Sequence, residues 1–199
     1  LKRMKVIDMM MKSHIIISKS LLENTDSNKQ FFLDSKNFIY GNIKPDIVSK
    51  YKLKKHYLDE SYDMVRQKIG FLSSLNLDSI DHYYTKASLS QEIGVVCHFL
   101  TDFFCLAHSE RWEFKHSMKI HIQYERNLTK VAKDYKIVND RQQYLDGFDE
   151  FFDKMYSEYK SNGKFEENDL KYSTYVCNTV TNYILESILE NTVRSHTVC

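Results

Sequence analysis

The sequence predicts an all-α protein, built as a single compact multi-helix domain over residues 1–199. Three observations carry this. Only five Gly and one Pro occur in 199 residues, fewer than strand-and-turn architectures need. Apolar residues recur at the helical spacing of three to four along most of the chain. One segment, GVVCHFLTDFFCLA, is apolar on nearly every side, the mark of a helix buried all round.

The elements follow in order. From Val6 to Leu22, the residues Val6, Ile7, Met10, Met11, Ile15, Ile17, Leu21 and Leu22 keep helical period. The opening LKRMKVIDMMM is the first turns of this helix, since Asp8 interrupts the apolar stretch that a signal segment would need. Polar residues around Ser27 form a loop. Phe31 to Tyr40 reads as a short helix, and Gly41 and Pro45 stop it, so that GNIKPD is a loop carrying Asp46. Helical spacing resumes from His56 to Leu75. Asn76 to Ala87 is polar and reads as loop. Ser88 and Gln91 have the form of a capping box and would start the central helix, which runs to about Leu106. A further helix spans about Ser117 to Lys136. Asn139 or Asp140 could cap the next, with Tyr144, Phe148, Phe151, Phe152 and Tyr156 on one side. After a turn at Ser161-Asn162-Gly163, Asn168 or Asp169 could cap the last helix, to about Val193.

Composition narrows function. Apolar residues make up 42% and charged residues 28% of the chain, ordinary values for a globular domain. The 28 basic and 27 acidic residues give a net charge of +1. That balance disfavours nucleic acid and gives no electrostatic hold on an anionic membrane. No run of eighteen apolar residues exists, so no segment is expected to span a bilayer. The four cysteines, Cys97, Cys105, Cys177 and Cys199, are too scattered for a disulfide scaffold. Cys97 and Cys105 flank His98 and Asp102 and could serve as soft ligands, but packing as small hydrophobes is the better reading.

The chemistry lies between His98 and Glu125. His98 and Asp102 stand four apart, as do His121 and Glu125, with His108 between the pairs. Residues four apart share a helix face. Imidazole and carboxylate are what zinc takes when thiolate is absent. A His and an Asp inside an apolar helix are costly unless paired or bound to metal. The reading is therefore a polynuclear metal cleft in a hydrolase. His14, Asp46 and His56, each weak alone, join the candidates. His82 reads as a surface residue, His116 lies five before His121 and off its face, and His196 falls in a fraying C-terminus. Trp112 and Glu113 could line the cleft mouth, with packing at least as good a reading for Trp112.

The succession His14, Asp46, His56, His98-x-x-x-Asp102, His108, His121-x-x-x-Glu125 is carried by SHIIISKSLLE, GNIKPD, KKHYLDES, GVVCHFLTDFFCLAHS and HIQYE. In this it resembles the zinc-dependent phospholipases C, whose architecture P1/S1-type zinc nucleases share. The resemblance covers residues 14–125. It implies two to three zinc ions. Asp46, His56, His98 and Asp102 would hold one. Asp102 would bridge to a second, which also takes His14 and the amino group and carbonyl of Leu1, where the family carries a Trp. His108, His121 and Glu125 would hold the third. Closely held zinc ions polarise phosphoryl oxygens and lower the pKa of a bridging water, so that hydroxide can attack phosphorus in line with the leaving alcohol. Asp46 is the candidate catalytic residue, as general base or water orienter.

The function expected is a phospholipase C that cleaves glycerophospholipid to diacylglycerol and a phosphorylated head group. The alternatives are a nuclease or nucleotidase on the same metal core, and a non-catalytic helical metal-binding module. The partners expected are a phospholipid or other phosphodiester substrate, and peripheral contact with a lipid surface. The protein is expected to be an extracellular monomer, with the cytoplasm as the alternative location.

Overall fold

The computed structural model describes residues 2–25, 29–48, 56–82, 84–112, 118–137 and 147–197. Its helices are α1 (Lys2–Asn24), α2 (Ser35–Ile47), α3 (Leu58–Ser73), α4 (Leu77–His82), α5 (Lys86–Phe103), α6 (Leu106–Ser109), α7 (Met118–Asp134), α8 (Phe148–Ser161) and α9 (Glu166–Thr197), with a 3-10 turn at Gln30–Phe32. No strand occurs among the described residues, and none of their helices is long and apolar enough to cross a membrane.

Helix α5 is the axis of the fold. Ile93 through Phe103 are all buried, as its nearly uninterrupted apolar sequence requires. Helices α1, α2, α3 and α9 pack around it, and α7 lies against α1 and α9. The outer helices bury one stripe each: Ser61, Val65, Ile69 and Leu72 in α3, and His121, Tyr124, Glu125, Leu128 and Ala132 in α7. Spacings of three and four put each set on one face. Phe104 packs against Phe152, Tyr156, Tyr159 and Tyr172 with ring centroids 5.3–6.2 Å apart, a range in which offset and edge-on rings attract.

Several boundaries differ from the sequence reading. Helix α2 does not stop at Gly41 or Pro45 but runs to Ile47. Gly41 is there because α2 meets α5 backbone to backbone. A Cβ on Gly41 would lie 2.9 Å from Gln91 Cα, and one on Gly94 would lie 2.9 Å from Gly41 Cα. Pro45 falls in the last turn, where it forgoes one helix hydrogen bond, to the Gly41 carbonyl, and the helix ends two residues later, so that Asp46 sits on a helix end. His56 lies two residues ahead of α3 rather than opening it.

Leu77–His82 is helical, with the Asn76 side chain accepting from the Ser79 N–H at 2.8 Å. Helix α5 begins at Lys86, capped by Thr85, whose Oγ1 accepts from the Ser88 N–H at 3.0 Å. Gln91 does not close a capping box; its amide donates to Asn37 Oδ1 on α2. Helix α9 starts at Glu166, so Asn168 and Asp169 are inside it and do not cap it. Helix α8 starts at Phe148 behind Gly147. Ser27, Asn139, Asp140 and Tyr144 lie outside the described residues.

Candidate metal centre

Seven side chains from six places in the chain converge on a buried carboxylate, Asp102. The apolar surroundings of α5 hold it 2% exposed. Its oxygens are divided between neighbours. Oδ2 lies 2.7 Å from His56 Nδ1 and 3.2 Å from His98 Nε2. Oδ1 lies 3.3 Å from His14 Nε2 and 3.7 Å from His108 Nε2. Asp46 Oδ1 stands 3.9 Å from both His56 Nδ1 and His98 Nε2. A second carboxylate, Glu125, is 3.3 Å from His108 Nε2 and 3.7 Å from His121 Nε2 through Oε1. Ser13 donates to its other oxygen at 3.4 Å.

The sequence reading thus named eight described residues that the fold brings together: His14, Asp46, His56, His98, Asp102, His108, His121 and Glu125. Leu1 lies outside the described residues, as do Glu113 and His116. His82 and His196 are exposed, each with Nδ1 against a backbone carbonyl of its own helix. Trp112 packs edge-on to Tyr124 at 5.1 Å, which favours the packing role.

Backbone contacts orient the cluster. His98 Nδ1 lies 2.6 Å from the Asn42 carbonyl. That nitrogen must donate, so neutral His98 presents the bare lone pair of Nε2 to the site, the arrangement of a metal-ligating histidine. Around that lone pair stand Asp102 Oδ2 at 3.2 Å, Asp46 Oδ1 at 3.9 Å and His56 Nδ1 at 3.1 Å. An acceptor surrounded chiefly by acceptors is what a cation would satisfy. Asp46 Oδ2 is buried with no hydrogen-bond partner among the described residues, a further free donor for an ion. Among the described residues, three sets bring their ligand atoms within 4.8 Å of one another: His14, His98 and Asp102; Asp46, His56 and His98; and Cys105, His108 and Glu125. The residues present therefore fit zinc in number, type and placement.

Electrostatics agree. Burial pushes Asp102 up, but His108, His98 and His14 outweigh it and hold the carboxyl well below its ordinary range. Burial also works against Glu125, yet hydrogen bonds from His108 and His121 bring it down to about 2. Burial pulls His14 down, while Asp102, Asp46 and Glu125 together lift it to about 9. For His98, burial and then the charge of His14 lower the pKa. Ionised carboxylates kept out of water require positive charge beside them.

Two residues were assigned otherwise by the sequence reading, Cys105 to packing in preference to a soft ligand and Asp169 to a helix cap. Cys105, at the head of α6, lies 3.6 Å from Glu125 Oε1; its place three residues before His108 was the available signal. Cys97 and Cys177 behave as expected, packed between α5 and α9 with Cys97 Sγ 3.4 Å from Thr181 Oγ1. Asp169 is the other. Its Oδ2 accepts from the Leu106 N–H at 2.9 Å and the Tyr124 hydroxyl at 2.8 Å, and its Oδ1 accepts from the Tyr159 hydroxyl at 2.9 Å. It thereby ties α9 to the start of α6, to α7 beside Glu125 and to α8. No local pattern marks such a residue, because all its partners are distant in sequence. Asp169→Ala would strand three buried donors, each costing about 1–3 kcal/mol. Urea denaturation of the metal-free protein should show a loss of about 3 kcal/mol or more. An unchanged midpoint would mean that these contacts do not hold the turn.

A cleft of about 610 Å³ opens beside the cluster, lined among others by Tyr57, Tyr62, His108, Arg111, Phe152 and Tyr156. Arg111 has φ 53°, a backbone state a bulky residue seldom takes. Its guanidinium bonds Asp59 at 2.5 Å and covers the Tyr57 ring at 4.4 Å. These contacts tie the turn after His108 to the start of α3.

A family model described as zinc-dependent phospholipase C matches residues 13–166. That span is well over half of the 199 residues and contains every candidate ligand from His14 to Glu125. No curated protein and no solved structure matches the chain.

Proposed function

The chain belongs to the zinc-dependent phospholipase C family, and from that premise we propose that residues 1–199 form one catalytic domain that hydrolyses phosphodiesters. Its substrate in this reading is a glycerophospholipid, split into diacylglycerol and a phosphorylated head group. The observation that carries the proposal is the division of the Asp102 carboxylate. One oxygen faces His56 and His98, and the other faces His14 and His108. A carboxylate so placed is suited to span two cations.

In this reading Asp46, His56, His98 and Asp102 hold one ion, Asp102 and His14 hold a second, and His108, His121 and Glu125 hold a third. Zinc, when bound, lowers the pKa of water and polarises a phosphoryl oxygen. The protein's own groups supply the rest. The Asn42 carbonyl keeps the His98 proton on Nδ1. Asp46 is the candidate base: its side chain is 13% exposed against 3% for Asp102, the more open of the two carboxylates at this ion. From there it would orient the attacking water and take up its proton. The cleft beside His108 leaves room for the rest of the substrate.

Elemental analysis of the purified protein, before and after mild chelation, tests this directly alongside hydrolysis of a chromogenic phosphocholine diester. Two to three zinc per chain are expected, with turnover lost on chelation and restored by zinc. Zero or one zinc with no turnover would overturn the reading in favour of a helical module.

A further inference from the structure

Resting on that reading, the geometry points to Cys105 as a thiolate ligand of the ion held by His108, His121 and Glu125, which makes this a closed sulfur-containing site of four protein ligands. The sequence CLAH puts a cysteine three residues ahead of a histidine. The chain then turns so that both meet one carboxylate. Cys105 takes extended backbone angles, φ −101° and ψ 125°, at the head of α6. The N–H groups of His108 and Ser109 both donate to its carbonyl, at 3.1 and 2.8 Å. That short turn holds the Sγ atom and the His108 ring on one side.

Sγ, a His108 nitrogen and a Glu125 oxygen lie within 4.8 Å of one another. His121 Nε2 is 3.7 Å from the same Glu125 oxygen, and its ring meets His108 edge-on at 4.8 Å. With His121 drawn in beside Glu125, one sulfur, two nitrogens and one oxygen would complete the tetrahedral count of a zinc site. All four residues are at most 6% exposed.

Without metal, the thiol donates to Glu125 Oε1 at 3.6 Å. On ligation the S–H bond breaks, the proton passes to solvent and the sulfur–metal bond forms; a coordinating thiol gives up its proton outright. Closed four-ligand zinc sites are structural, whereas catalytic ones keep a position for water. The inference therefore divides the labour. The ion beside Glu125 anchors α6 and α7, and the open positions are left to the ions around Asp102. Cys97 and Cys177 are spent on contacts between α5 and α9, so they do not compete for this role.

X-ray absorption at the zinc edge distinguishes the outcomes. Wild-type protein loaded with zinc should show a sulfur shell at about 2.3 Å beside nitrogen and oxygen at about 2.0–2.2 Å. The cobalt(II)-substituted protein should show a sulfur-to-cobalt charge-transfer band. Cys105→Ala should lose both signals. It should also give up one zinc per chain to chelator at least about 10–100-fold more readily, the cost already typical of removing an outer-shell partner. Zinc bound with only nitrogen and oxygen neighbours would overturn the thiolate assignment and leave the phosphodiesterase reading standing. A sulfur shell that persists in Cys105→Ala would overturn it equally. No bound zinc in the wild type would overturn both. The wild-type spectrum decides the matter even if the variant does not fold.

Discussion

Replacing Asp102 by asparagine is expected to strip metal from the groups that share this carboxylate and to lower phosphodiester turnover by at least about 10²–10³-fold, the cost of removing one preorganised charge-stabilising group. The shape is unchanged, so packing survives. What changes is that four imidazoles, those of His14, His56, His98 and His108, lose the one charge they all face at 2.7–3.7 Å. An asparagine can offer a single neutral oxygen, and its amide would direct hydrogens at nitrogens that need to hold lone pairs. Zinc content and turnover should fall together. Full retention of either would mean that the carboxylate does not bridge.

The metal-free protein provides an independent readout of the same change. Asp102 is held below its unfolded pKa of 3.8, so its contribution is present above that value and lost as acid protonates it. His14 is raised from 6.5 to about 9, so its contribution is complete below 6.5 and disappears as the pH passes 9. Both signs place the full benefit between pH 3.8 and 6.5. The stability lost in Asp102→Asn should therefore be greatest in that window and should shrink on either side. A loss that does not vary with pH would mean that the pairing with His14 is not what the substitution removed.

What could be read from the sequence divides along the range of the interactions. His98 with Asp102 and His121 with Glu125 were legible because a helix sets their separation without help from the rest of the fold. His14, Asp46 and His56 had no such geometry. Each sits alone in its segment, and only the whole ordered succession, compared with a family, drew them into the site. Boundaries failed where a tertiary contact overrode a local signal. Gly41 looked like a terminator because glycine is poor in a helix on its own; its reason for being there is α5, which it meets more than forty residues later in the chain. Gln91 looked like half of a capping box, yet its amide is committed to Asn37 across the α2–α5 seam. Asp169 looked like a cap and is instead a buried junction of three hydrogen bonds. In each case the residue type was read correctly as special, and the partner was out of sight.

The same seam gives a second large expected effect on stability. Gly94→Ala should cost about 3 kcal/mol, the top of the range for overpacking, or more. The added methyl would stand 2.9 Å from the Asn42 nitrogen and from Gly41 Cα, and closer still to the Phe38 carbonyl oxygen. These are backbone atoms of α2, which no rotamer change can move aside, so the helices must part. Parting them reaches the metal centre. The Asn42 carbonyl, 2.6 Å from His98 Nδ1, and Asp46, one turn further along α2, would both move relative to α5. Zinc affinity should therefore fall further in Gly94→Ala than in a cavity variant of similar stability in another helix, such as Val180→Ala in α9. Gly70 supplies the opposite control. It sits inside α3, and nothing lies within 4 Å of where its Cβ would be. Gly70→Ala should raise stability by about 0.5–1 kcal/mol through helix propensity alone. Urea denaturation of the three variants, with and without zinc, reads all of these at once. If Gly94→Ala and Gly70→Ala shifted the midpoint in the same direction, the backbone-to-backbone contact of α2 with α5 would be wrong, and with it the route by which the fold sets the His98 tautomer.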